Sequence, residues 1–133
     1  VNLTFTLHKS VDFIFHYLTD MDKFASVHPL ITKIDKKGEG NFLVHETLKL
    51  GFFPYSFTYP VTIKSNSANK TVMIKATVMK MAHIEMHFTI RQEGELSVVE
   101  EIITIDTNLP IKKIIKTLFM EQHAQLFKNI NSL

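Results

Sequence analysis

The chain has no cysteine and no tryptophan, only four glycines and four prolines, and a net charge of just +2 over 133 residues. The missing cysteine excludes disulfides, thiolate metal sites and thiol nucleophiles together. Four glycines leave little from which to build a phosphate cradle, and the sequence holds no P-loop, dinucleotide-binding turn, zinc motif or Ser-His-Asp order. The expectation is therefore no cofactor and no metal. Each half of the chain carries one net positive charge, so there is no basic footprint for nucleic acid. No apolar run approaches the roughly 18–20 residues that cross a bilayer, and no basic-then-apolar leader opens the chain. A soluble, cytoplasmic protein without a transmembrane segment is expected, with room for a trimmed initial segment before Val1.

What is present is an ordinary globular composition, 45% hydrophobic and 21% charged, with a length that suits one domain over residues 1–133. Residues 1–7 alternate apolar and polar, the period of a strand with one buried face. Ser10 stands at an N-cap position, Asp12 suits the first turn, and Phe13, Ile14, Tyr17 and Leu18 form the stripe of a short helix. A second helical turn over 20–25 is ended by His28-Pro29, because the residue before proline is driven out of the α region.

From Leu30 to Thr107 strands follow one another, parted by turn residues at 37–41, 51–54, 66–69 and 92–95. Such short links make an antiparallel meander, and the long runs 42–50, 55–65 and 81–91 must twist and curl. Pro110 suits the first turn of a final helix, with Ile111, Ile114, Ile115, Leu118, Phe119, Leu126, Phe127 and Ile130 on one broad face. About 20 helical residues and a nine-residue strand both measure about 30 Å. The predicted architecture is α+β: a curved antiparallel sheet of about seven strands wrapped around a long C-terminal helix, with two short helices after the first strand.

The segment Ser10-Val11-Asp12-Phe13-Ile14-Phe15, then Tyr17-Leu18-Thr19-Asp20, Phe24 and His28-Pro29-Leu30-Ile31, set within this element order, resembles the START and pollen-allergen superfamily, abbreviated SRPBCC. The resemblance covers the whole chain and implies the helix-grip fold. It also implies a small apolar ligand, of lipid, steroid or polyketide-like kind, held between sheet and helix. Some similar proteins are polyketide cyclases or dehydratases, and others bind proteins.

The inward strand faces offer Phe42, Val44 and Leu48, then Tyr55, Phe57, Tyr59, Val61 and Ile63, then Ile84, Met86, Phe88 and Ile90. These large side chains either line an adjustable pocket or simply pack a core. Glu46 falls on the apolar face of the 42–50 run, beside an inward-facing Leu50. It is either a polar anchor or raised-pKa acid in a cavity, or a residue turned to water by a bulge or rim position. Tyr55 and Tyr59 share a face and could offer hydroxyls to one ligand, or could be plain core residues. His28 belongs at the mouth closed by the short helices. The candidate ligand-binding set is Glu46, Tyr55, Phe57, Tyr59, Met86, Phe88, Phe119 and His28, with catalytic residues unassigned.

His83, Glu85 and His87 share one strand face, but outer neighbours ~13 Å apart cannot converge on a metal, so a solvated outer face is expected. Around residues 98–105 the alternation is ambiguous and puts a glutamate on either face, with Glu101 a weaker copy of Glu46. His123, on the final helix near Leu126 and Phe127, is expected to be a capped or boundary residue, and Lys112, Lys113 and Lys116 lie on a solvated face or basic patch. Three functions remain open: an apolar-ligand binder, a cyclase or dehydratase using Glu46, and a domain with a filled core that meets a protein partner or a second copy of itself.

Overall fold

The computed structural model describes residues 1–50 and 52–133, with nothing said of the Leu50 side chain. The elements run β1 (Asn2–Leu7), α1 (Val11–Thr19), α2 (Met21–Val27), β2 (Ile31–Gly38), β3 (Asn41–Leu50), β4 (Phe53–Asn66), β5 (Thr71–Val78), β6 (Ala82–Glu93), β7 (Leu96–Asp106) and α3 (Lys112–Asn131). All seven strands join one antiparallel sheet in the order β1-β7-β6-β5-β4-β3-β2. The meander thus stays in sequence order, and only β1 crosses to the far edge beside β7. The expected inward position of Leu50 and the Gly51 part of the expected 51–54 turn lie outside the described residues.

Local chemistry explains the helix ends. Ser10 Oγ accepts the Phe13 amide at 3.1 Å and caps α1. Asp20 closes α1 and opens α2, its carboxylate accepting the amides of Asp22 and Lys23. α2 runs to Val27, two residues beyond expectation, and His28 ends it ahead of Pro29. Pro110 lies before α3, which begins at Lys112 without any side-chain cap.

The concave face of the sheet alternates as the period-two pattern requires, burying Val44, Tyr59 and Val61 on one side and Ile84, Met86, Phe88 and Ile90 on the other. α3 closes it with Ile115, Leu126, Phe127 and Ile130, and Phe127 stacks on Phe5 of β1 at 4.4 Å between ring centroids. Each such side chain contributes about 2 kcal/mol on burial. Two details differ from the sequence expectation. Ile114 is 60% exposed, because the buried stripe follows Ile115 and residue 114 lies about 100° around the helix from it. A turn also separates β5 from β6 at Met79 and Lys80, both with positive φ (57° and 59°), where no Gly or Asn announces it.

β4 has 14 residues, about 46 Å when extended, and outruns the roughly 30 Å of α3. Its first residues overhang the helix, so Tyr55, though on the inward face, is 53% exposed.

Candidate functional site

Where the sheet outruns the helix, a cavity of about 120 Å³ opens between them. Tyr55, Phe57 and Tyr59 stack in sequence along β4, with centroids 5.6 and 5.8 Å apart, and form one wall. Ile115, Leu118 and Phe119 of α3 form the opposite wall, while Leu48, Val78, Met79 and Ile84 complete the apolar lining. Glu46, Tyr59 and Gln122 supply the polar groups.

Glu46 is buried, and its Oε1 accepts the Tyr59 hydroxyl proton at 2.8 Å. No bulge interrupts β3 against β4 here; the register shift opposite Glu46 lies in β2, between Ile31 and Lys33, and leaves the carboxylate facing inward. Burial pushes the Glu46 carboxyl up from its ordinary pKa. The Tyr59 hydrogen bond, the His123 charge and the Gln122 side chain oppose this to a lesser degree. Tyr59 is itself driven well above its ordinary value, first by burial and then by Glu46, so it stays a neutral donor.

Because the raised Glu46 pKa makes the folded protein bind a proton more readily than the unfolded chain, its contribution to stability falls as pH rises above the ordinary carboxyl range. Glu46→Gln is therefore expected to raise stability at neutral pH and to lose that advantage at pH 4 and below. Urea unfolding at the two pH values measures the difference.

Behind this cavity lies a second space of about 30 Å³, enough for one water, lined by His28, Met86 and His123 among apolar neighbours. Tyr59 and Phe119 line both spaces and stand between them. His28 Nδ1 accepts the amides of Leu30 and Ile31, each at 3.1 Å, so the neutral ring carries its proton on Nε2. Burial, with the His123 charge second, lowers the His28 pKa from 6.5 to about 3.

Glu101 and His123 form the other buried polar pair, with Nδ1 of His123 2.5 Å from Oε2 of Glu101. The capped or boundary setting expected for His123 is thus corrected: the ring is 2% exposed and enclosed by Phe88, Phe119 and His28. The ambiguity of β7 resolves with Val99, Glu101, Ile103 and Ile105 inward and Glu100 outward. Among the described residues, Glu101 Oε1 has no hydrogen-bond partner.

Of the sequence candidates, Glu46, Tyr55, Phe57, Tyr59 and Phe119 meet at the larger cavity, and His28 and Met86 at the smaller. Phe88 packs in the core against His123 and Phe127 and lines neither. Gln122 was not foreseen, although it sits at helical spacing between Ile115, Phe119 and Leu126, where a polar residue is conspicuous. His83, Glu85 and His87 lie on the convex face, where Glu85 pairs with Lys75 and with His87, each at 3.4 Å. Among the described residues, no three His, Asp or Glu side chains converge as a metal site would require.

No family model and no curated protein matches the sequence. Solved structures do match. A START superfamily protein from Mycobacterium smegmatis aligns over 99% of this chain and 94% of its own at 14% identity, with a TM-score of 0.80. Ara h 8.0201 aligns over 99% and 94% at 14% identity and a TM-score of 0.77. The Zhui aromatase/cyclase from Streptomyces sp. R1128 aligns over 99% and 90% at 11% identity and a TM-score of 0.70. The protein has the helix-grip fold that these structures share.

Proposed function

We propose that the protein binds a small apolar ligand, lipid, steroid or polyketide-like, between α3 and the concave face of the sheet, with a polar group of the ligand at Glu46 and Tyr59. The observation that carries this reading is the 120 Å³ cavity itself, apolar along its walls and polar where Glu46, Tyr59 and Gln122 meet. Its size limits the enclosed part of the ligand, since an engineered cavity of about 150 Å³ holds one benzene. A single ring or a short acyl segment fits inside, with the rest lying along Tyr55 and Met79 at the mouth. The similar START and Ara h 8.0201 structures are consistent with this reading at the level of fold.

Titration with a fluorescent apolar probe and a panel of fatty acids, sterols and aromatic polyketides tests it. Leu118→Trp, which fills the cavity from α3, is expected to weaken binding roughly tenfold or more. Failure of every compound to bind, or binding that Leu118→Trp leaves untouched, would reject the proposal in favour of a filled core.

A second reading, acid–base chemistry of the cyclase or dehydratase type, is favoured by one observation: two titratable groups, Glu46 and Tyr59, lie 2.8 Å apart beside an apolar cavity. If it holds, Glu46→Gln lowers turnover of a cyclisable polyketone by roughly 100-fold while probe binding survives.

A further inference from the structure

Large exposed apolar side chains gather at one end of the molecule. Strand directions bring three chain reversals there: the β3–β4 link, the β5–β6 turn and the passage from β7 into α3. Phe52 is fully exposed, Phe53 is 78% exposed, and Met79, Met81 and Ile114 all exceed half exposure. The same stretches expose Lys49, Lys80, Lys112, Lys113 and Lys116. Across residues 47–55, 77–82 and 106–117 the only acidic residue is Asp106. The charge that looks balanced along the sequence is thus concentrated in space.

We propose that this end docks on a bilayer surface containing anionic phospholipid. Phe52, Phe53, Met79 and Met81 enter the interfacial region, and the lysines meet the phosphate layer. The docking goes beyond ligand binding and does not depend on it. It would place the cavity mouth, marked by Tyr55 and Met79, against the membrane.

Three observations favour a bilayer over other occupants. First, α3 begins with no side-chain cap and no acidic residue in its first turn, but with Lys112, Lys113 and Lys116, which oppose the helix dipole. A phosphate layer reverses that penalty, since both the dipole and the lysines attract anions. Second, Met79 and Lys80 occupy left-handed backbone where Asn-Gly would be unstrained, so the turn holds a large apolar and a basic side chain at a conformational cost. Third, docking two copies through this end would bring five lysines against five, which repel. A fluid surface also accepts side chains from separate tips without needing a matching shape.

The test is flotation with vesicles of phosphatidylcholine alone and of equal parts phosphatidylcholine and phosphatidylserine. The expected result is binding to the mixed vesicles only, weakened by salt. Lys112→Ser/Lys113→Ser should weaken it roughly thirtyfold, and Phe52→Ser/Phe53→Ser roughly tenfold or more. None of these four residues lines the cavity, so probe binding in vesicle-free solution and thermal stability should stay unchanged. No binding to mixed vesicles, equal binding to neutral ones, or binding that both variants retain overturns the proposal. So does a stable dimer dissolved by Phe52→Ser/Phe53→Ser, which would assign the surface to a second copy.

Discussion

Replacing His123 with leucine is expected to destabilise the fold by about 3–5 kcal/mol at neutral pH, a large fraction of the 5–15 kcal/mol typical of a domain. Among the described residues the imidazole is the one hydrogen-bond partner of the Glu101 carboxylate, which has no exposed surface and whose Oε1 is unpaired. Leucine fills much of the volume but leaves that carboxylate in an apolar surround with nothing to bond. Glu101→Leu alone should be similarly damaging, because it strands the His123 ring among Phe88, Phe119 and His28. The double variant Glu101→Leu/His123→Phe removes both polar groups and is expected to recover most of the loss or to exceed the parent. Urea unfolding of all three variants measures this. A silent His123→Leu, or a double variant no better than the singles, would show that the pair is not held as a buried couple.

That pair also shows where the sequence stopped being informative. The meander of β2 to β7, the turn at 37–41, the Ser10 cap and the long final helix all follow from short-range rules, because alternation, capping and proline act within a few residues, whereas the pairing of β1 with β7 does not. Glu46 was legible for the same reason: an unbroken alternation in β3 leaves a carboxylate no other face. Glu101 was not, since apolar residues occupy both faces near Val98 and Val99, and only the pairing of Glu101 with Phe88 decides the matter. His123 and Gln122 needed tertiary information of another kind. A polar residue on an apolar helical stripe can end at water or in the core, and its partner on a strand 22 residues away selects the core. The Met79-Lys80 turn was missed because its conformation is enforced by the β5–β6 pairing and not by its own residues.

Acidification is expected to unfold the protein earlier than its exposed carboxylates alone would. His28 keeps a pKa of about 3 in the folded state against 6.5 for the free side chain. Its neutral ring is fixed by two backbone amides donating to Nδ1, and protonating Nδ1 would forfeit both bonds while placing a charge in the core. The unfolded chain therefore binds the proton first, and stability falls as pH drops below 6.5. The loss from this group is about 2 kcal/mol at pH 5 and approaches 4–5 kcal/mol near pH 3. Asp35 and Glu85 have lowered pKa values, Asp35 chiefly through its hydrogen bond to His45 and Glu85 through its bond to His87, and they lose their contribution only below the ordinary carboxyl range. Glu46 acts with the opposite sign, since its raised pKa favours the folded state on acidification. Between pH 6.5 and pH 5 His28 and Glu46 thus pull in opposite directions, and a variant that lacks only the His28 imidazole separates the two. In His28→Asn the side-chain carbonyl can accept the same two amides, as asparagine does in turns, and it does not titrate. The smaller side chain lowers stability at every pH, so the comparison rests on slopes. Unfolding free energies measured between pH 7 and pH 5 should fall more for the parent than for His28→Asn, by about 2 kcal/mol at pH 5. Parallel slopes would mean that the ring is solvated and not buried as neutral imidazole.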